Sequence, residues 1–209
     1  MKIVLATHNP HKRAELIPLL KPLGFDILTL DDFPTIGEII EDGETLLENA
    51  LIKARSVHTL TGLPSLADDT GLEVDALNGA PGVYSARFAG ENCSYSDNVR
   101  KLLSVLSKVE PPKRTARFKT IMAFTDGKLE LTAEGIVEGQ ILHQPKGVAG
   151  FGYDPVFYIH EMEKTFAQMT SNEKSKISHR GIAVRKMAES LHHLYSSVNR
   201  SKTLKKETA

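Results

Sequence analysis

Two adjacent carboxylates, Asp68 and Asp69, lie between an apolar run, Leu63 to Ala67, and a Thr70-Gly71 pair. Carboxylates presented at a strand end can ligate a hard divalent cation or serve as a general base. The same string would also make an ordinary tight turn, with Asx side chains bonding their own backbone and glycine supplying φ > 0. On that reading a second strand starts at once, because Leu72, Val74 and Ala76 alternate with Glu73, Asp75 and Leu77.

Several other segments are suited to an anion. Thr7-His8-Asn9-Pro10-His11-Lys12 follows the apolar run Met1 to Ala6, with Asn9 as N-cap and Pro10 as first helical residue. Free N–H groups at such a helix start, with Lys12 one turn in, would hold phosphate, although a plain capped helix accounts for the segment equally well. Lys53 falls in a later helix, off the apolar stripe, where an exposed lysine is the default. Arg87, in Ser85-Ala86-Arg87-Phe88, is a further candidate anion ligand. Ser178-His179-Arg180 opens the last helix, and cationic groups there oppose the helix dipole unless an anion joins them. Gly147 to Pro155 is a glycine-rich loop around Phe151, able to bring backbone close to a flat ligand or simply to bury that ring. It is not a dinucleotide fingerprint, since Pro155 replaces the third glycine and a strand follows. No Walker-type phosphate loop occurs, His160-Glu161 lacks a second His because position 164 is Lys164, and His192-His193 has no metal-ligand spacing.

The elements that must position these groups alternate between the two periodicities. Strands are expected over Met1 to Ala6, Phe25 to Leu30 and Val156 to Ile159, with a loop from Asp31 to Gly43. A first helix carries Leu16, Leu19, Leu20 and Leu23, and Pro18 should kink or end it. Thr45-Leu46-Leu47-Glu48 is a capping box for a helix with Leu47, Ala50, Leu51, Ala54 and Val57 on one side. Asn78 to Gly82 is turn chemistry. Ser96 or Asp97 caps a helix through Lys108, and Asp126-Gly127 joins a long hairpin, Arg114 to Thr125 and Lys128 to Ile141, that reads as framework without chemistry. Thr170 to Glu173 caps a short helix bearing Lys174, and the last helix has Ala183, Met187, Leu191, Leu194 and Val198 as its stripe.

The chain has 209 residues, with Lys+Arg and Asp+Glu both 26, and 41% hydrophobic residues. This is ordinary globular composition, long enough to bury a large core. The zero net charge speaks against a nucleic-acid or membrane-surface binder. Cys93 is the only cysteine, so no intrachain disulfide forms, and no apolar run approaches a membrane span or a signal-peptide core. A cytoplasmic location follows as the expectation, and the Asn92-Cys93-Ser94 sequon carries no meaning there. Residues 1–198 are expected to form a single two-lobed domain, with 199–209 a polar, frayed tail.

Taken together, the segments resemble the inosine/xanthosine triphosphate pyrophosphatase family. The likeness rests on Thr7 to Lys12; Glu48-Asn49-Ala50 with Lys53; Ala67 to Leu72 with Gly79 to Arg87; Gly150 to Pro155; and Lys174 with Ser178 to Gly181, in order from residue 7 to 181. Thr70 stands where many members have Ser, which keeps the hydroxyl. The resemblance implies a mixed α/β fold with an elongated central sheet flanked by helices, two lobes with the active-site cleft between them, and a homodimer. It implies Mg²⁺-dependent hydrolysis of ITP, dITP and XTP to nucleoside monophosphate and pyrophosphate. Asp69 would be the catalytic base and a metal ligand, with Glu41 as second metal carboxylate, though Glu38, Asp42 and Glu44 leave that alignment loose. Asp68 would act in support. Substrate contacts would come from Thr7, His8, Asn9, Pro10, His11, Lys12, Lys53 and Thr70, and around the base from Phe151, Gly152, Tyr153, Asp154, Lys174, His179 and Arg180. Arg180 is the candidate donor to a 6-keto oxygen. A pyrophosphatase of the related pyrimidine or methylated-nucleotide group, and a non-enzymatic nucleotide-binding module, are the competing readings.

Overall fold

The long hairpin is the spine of the structure. This is a computed structural model that describes residues 1–207, and side chains as far as His193. In chain order the elements are β1 (Lys2–Leu5), α1 (Pro10–Leu20), β2 (Asp26–Thr29), α2 (Leu46–Thr61), β3 (Ser65–Val74), β4 (Pro81–Gly82), α3 (Tyr95–Val105), β5 (Thr115–Thr125), β6 (Glu130–Ile141), β7 (Phe157–Ile159), β8 (Lys164–Thr165), α4 (Ser171–Ile177) and α5 (His179–Glu207). The eight strands form one mixed sheet in the order β2-β1-β3-β5-β6-β7-β8, with β4 added beside β3. β1 runs parallel to β2 and β3, and every other pairing is antiparallel.

The expected break at Asp68-Asp69-Thr70-Gly71 is absent. β3 is one continuous strand from Ser65 to Val74, paired residue for residue with β5 from Ser65↔Thr125 to Val74↔Ala116. Gly71 is not in the left-handed region. It is glycine for space, since a Cβ there would stand 2.6 Å from the Gly82 carbonyl oxygen of β4. The continuous pairing with β5 outweighs the local turn signal. It also sends Asp68 and Asp69 to opposite faces of the sheet, as alternation in a strand requires.

On the opposite edge of β3 the pairing is interrupted. β1 pairs only Ser65 and Leu66, and β4 only Leu72 and Glu73. The backbone between is open to a cleft, at a place where parallel strands diverge and α/β sheets characteristically take ligands.

One sheet face is covered by α1 and α5, through Leu16, Leu20, Ala183, Val184, Met187 and Leu191 against Leu66, Met122 and Phe124. The other is covered by α2, through Leu46, Ala50, Ala54 and Val57 against Ala67, Ile121 and Ala123. A third cluster joins α3 and the far end of the sheet, around Leu102, Phe118, Phe157 and Phe166. α1 runs through Pro18 to Leu20 rather than ending there. The proline forfeits one backbone bond, and burial of Leu16 and Leu20 on either side offsets it. α3 is capped by Ser94, whose side chain and Asp97 form the capping box, and it ends at Val105, short of the expected Lys108. α5 continues to Glu207 and so includes residues 199–207 of the segment expected to be a tail; 208–209 and the side chains of Leu194 and Val198 lie outside what is described.

Candidate active site

The cleft has a volume of about 570 Å³ and is lined from the segment between β1 and α1, α1, the segment before α2, α2, β3, α3, β5, α4, the start of α5 and the loops around Arg87 and Phe151. Asn9 caps α1 as expected, its Oδ1 accepting from His11 N at 2.9 Å and Lys12 N at 3.3 Å. Those amides are therefore spent within the helix start, and Pro10 has none, so the free N–H groups expected here are not free. The Asn9 amide itself takes Thr7 Oγ1 at 3.2 Å. What the segment offers an anion is Lys12, whose Nζ reaches across the open edge of β3 to the Asp68 carbonyl oxygen and to Asp68 Oδ2, both at 3.2 Å.

Asp69 faces α2. Its Oδ1 accepts from Lys53 Nζ at 2.9 Å, and Glu41 Oε2 accepts from the same ammonium at 2.6 Å. Lys53 is thus no exposed lysine. The buried face of α2 keeps Ala50, Ala54 and Val57 of the expected stripe, with Leu51 half-buried, but takes Leu46 instead of the exposed Leu47 and adds Asn49 and Lys53. Asn49 and Lys53 stand on that face because there it borders the cleft. Burial alone would lower the Lys53 ammonium, but Asp69 and then Glu41 hold it above its ordinary value. Lys53 brings together the two carboxylates whose pairing was uncertain in sequence; Glu38 lines the cleft nearby, whereas Asp42 and Glu44 do not. Among the described residues no three His, Cys, Asp or Glu side chains converge on one point. The donor set at hand is two carboxylates, which suits a cation that keeps water and takes phosphate oxygens, as Mg²⁺ does.

Asp68 faces the other way and is fully buried. Its Oδ2 accepts from Arg180 Nε and Nη2, both at 3.2 Å, while Oδ1 has no partner among the described residues. Burial would raise this carboxyl, but Lys12, Arg180 and Lys53 hold it well below the usual range. Arg180 also donates to Thr70 Oγ1 at 3.1 Å and, through Nη1, to Glu15. Four of its five N–H groups are then committed, leaving one on Nη1. Thr70 Oγ1 in turn lies 2.6 Å from Thr120 Oγ1 of β5.

The far end of the cleft is aromatic. His11 stacks on Phe151 with centroids 5.1 Å apart, and Tyr95 stands against both rings. Tyr95 Oη accepts from Asn9 Nδ2 at 3.2 Å. Lys174 Nζ donates to Asp154 Oδ2 at 2.5 Å and Glu15 Oε1 at 2.7 Å, beside Phe151. Asp154 also accepts the Phe151 amide at 2.9 Å, fixing the loop. Burial pushes the Asp154 carboxyl up in spite of Lys174. His179 stacks on Phe118 at 4.6 Å, and burial, then Arg180 and Lys174, holds it well below its ordinary value, so it is neutral at pH 7. Gly152 lines the cleft without a side chain, and Tyr153 is buried with its hydroxyl on Ser85 O. His8 lines the cleft at its exposed rim, with Nε2 3.1 Å from Gly37 O. Arg87 lines the cleft stacked over Tyr84 at 5.2 Å, and makes no ion pair among the described residues. Lys12, Lys53, Lys174 and Arg180 each already hold a carboxylate.

Sequence reasoning passed over Glu15, Tyr95, Thr120 and Phe118. Glu15 is paired not with Lys12, three residues before it on α1, but with Lys174 and Arg180, more than 150 residues away, so no local spacing marks it. Phe118 and Thr120 belong to the hairpin whose sequence reads as inert framework, and nothing in its alternation separates a residue facing a cleft from one facing a core.

The sequence profile of the Ham1 family matches residues 3–190. The chain is 51% identical over 197 residues to the dITP/XTP pyrophosphatase of Desulforamulus reducens, covering 93% of this chain and 98% of that one. It is 50% identical over 187 residues to the dITP/XTP pyrophosphatase of Thermoanaerobacter pseudethanolicus, covering 90% and 94%. Its fold is similar to that of a HAM1 protein from Coxiella burnetii, with a TM-score of 0.84 and 40% identity over 92% of this chain and 99% of the other.

Proposed function

The chain belongs to the Ham1 family, and from that membership and the cleft we propose that it hydrolyses ITP, dITP and XTP to nucleoside monophosphate and pyrophosphate. The observation that carries this reading is a single cleft with Asp69, Glu41 and Lys53 joined at one end and Phe151 and Tyr95 grouped at the other, with His11 stacked on Phe151. A polyphosphate belongs at the first and a flat base at the second.

Asp69 takes the proton of the water that attacks the α-phosphorus, and pyrophosphate leaves. Lys53 gives up one carboxylate to bind phosphate, which frees Asp69 for this task, and Lys12 neutralises charge on the same side. Mg²⁺ held by Asp69 and Glu41 would supply the remaining positive charge that the developing transition state needs. Around the base, the one uncommitted N–H of Arg180 is the donor to the 6-keto oxygen. Adenine presents an amino group there and leaves that donor unpaired, a mismatch that can discriminate by about 10⁴-fold. Thr70 aligns Arg180, while Lys174, Asp154 and neutral His179 complete the pocket. Residues 1–198 act as one two-lobed unit, in a homodimer, in the cytoplasm.

The test is hydrolysis of ITP, XTP, dITP, ATP, GTP and dTTP with and without Mg²⁺, with products identified and oligomeric state measured by sedimentation. Monophosphate and pyrophosphate from the first three, in the presence of metal, is expected. Diphosphate and phosphate, or no preference for the 6-keto purines over ATP, would overturn the reading.

A further inference from the structure

Gly135 of β6 lies directly opposite Thr120 of β5 in the ladder. Both face the α5 side of the sheet, where Thr120 touches Thr70 and Thr70 touches Arg180. A Cβ on Gly135 would overlap the His179 carbonyl oxygen and stand 2.6 Å from Ala183 N and 2.9 Å from the His179 carbonyl carbon. All three are backbone atoms at the start of α5, so no side chain can swing aside to make room. The backbone of Gly135 is not left-handed, so the strand itself does not call for glycine there. The helix above does. On the neighbouring side, a Cβ on Gly181 would overlap the Ser175 carbonyl oxygen of α4 and stand 3.1 Å from its carbon. The turn that bears His179 and Arg180 is therefore held between two bare Cα positions, with β6 beneath it and α4 beside it.

We infer that Gly135 is a positioning residue for base selection: its missing side chain seats α5 directly on β6 and so sets the depth of Arg180 and His179 in the cleft. The inference rests on the nucleotide reading of the cleft and deepens it, because it places a determinant of selectivity on a strand position that touches no ligand. Carbon atoms in contact are normally about 3.5–4.0 Å apart, so a methyl group at 135 lifts that turn by about 1 Å or more. A misplacement of about 1 Å in a site of this kind costs about 10²-fold in rate. Lys12, Lys53, Glu41 and Asp69 stand on other elements and keep the phosphate end in place.

The experiment compares wild type, Gly135→Ala and Val57→Ala for kcat/KM with ITP and ATP, inhibition by pyrophosphate, and Tm. Val57 is on α2, buried against the sheet face opposite α5, and serves as a destabilised control. Gly135→Ala is expected to lose about 10²-fold in kcat/KM for ITP and at least about tenfold in the ITP/ATP ratio, with pyrophosphate inhibition within about twofold of wild type. Val57→Ala is expected to lose Tm and keep the ratio within about twofold. An unchanged ratio in folded Gly135→Ala, or an equal loss in Val57→Ala, overturns the inference. If Gly135→Ala does not fold, Gly181→Ala puts the same question to the same turn from its other side. Failure of both to fold also overturns it, since the glycines would then serve the fold and not the pocket. Wild-type protein with no preference for ITP would instead defeat the underlying reading, and that is known before any variant is made.

Discussion

Replacing each of the two neighbouring aspartates by asparagine should give opposite phenotypes. Asp68→Asn keeps the shape of a side chain only 1% exposed and removes the charge that Arg180 and Lys12 both face at 3.2 Å. Neutralising one side of a buried pair costs about 3–5 kcal/mol. The residual contact of Arg180 with Glu15 places this variant toward the lower end. For a chain of this size each kcal/mol moves Tm by about 2–4 °C, so at about 3 kcal/mol a fall of about 6–12 °C is expected. Asp69→Asn leaves Lys53 its 2.6 Å contact with Glu41, and the new amide oxygen still accepts from Lys53. Its Tm should stay within about 4 °C, the effect of about 1 kcal/mol, while turnover falls by about 10²–10⁴ with the loss of the base. Calorimetric melting and steady-state ITP hydrolysis on the same preparations measure both. Asp68→Asn melting with wild type, or Asp69→Asn losing as much Tm as Asp68→Asn, would refute the division of labour. The sign with pH follows from the depressed Asp68 carboxyl. Its contribution is full above its unfolded value of about 3.9 and drains away as pH falls below it, a loss that Asp68→Asn should lack.

His179 is depressed rather than raised, so it acts in a different window. Below its unfolded value of about 6.5 the unfolded chain takes a proton that the native chain refuses, and stability declines by up to about 1.4 kcal/mol per pH unit; His179→Gln should flatten urea-unfolding stability between about pH 6.5 and 5, and an unchanged slope would count against a buried neutral imidazole. Gly71→Ala forces a methyl group onto the Gly82 backbone and should cost about 1–3 kcal/mol in thermal unfolding; a Tm equal to wild type would show that β4 can retreat freely. Arg87 lines the cleft without a carboxylate partner among the described residues, so Arg87→Ala should raise KM for ITP about tenfold, the worth of one charge-assisted hydrogen bond, with Tm unchanged. An unaltered KM would remove it from the site.

The elements were legible where local chemistry and tertiary packing agree. The capping boxes at Thr45 and Thr170 start helices as expected, and Asp126-Gly127 joins the longest strands. The misreadings share a cause: a neighbour distant in sequence supplied what the local pattern lacked. The Asp-Asp-Thr-Gly string is turn chemistry by composition, but β5 pairs with it throughout. Lys53 reads as an exposed lysine until Glu41 and Asp69 are placed against it. Gly71 and Gly135 look like conformational glycines or framework filler, because sequence does not show that another backbone lies on top of them. Arg180 is visible as a cation at a helix start, but its ties to Asp68, Glu15 and Thr70 span more than a hundred residues of chain.

The two margins of the sheet bear on how the protein behaves at high concentration. Of the long strands, β5 is paired on both sides from Ala116 to Thr125, whereas β6 pairs with β7 only at Gln140 and Ile141, so its outer edge from Glu130 to Gly139 has no strand partner among the described residues. The outermost strands are short: β2 has four residues and begins with an aspartate, and β8 has two and begins with a lysine. Short, charged borders offer a poor template for strand-to-strand association between molecules. β5 would then be open to pairing only while the chain is unfolded, whereas in the native protein the outer edge of β6 is protected chiefly by the charges of Glu130, Glu134 and Glu138, so native-state association should grow as those carboxylates are neutralised at low pH.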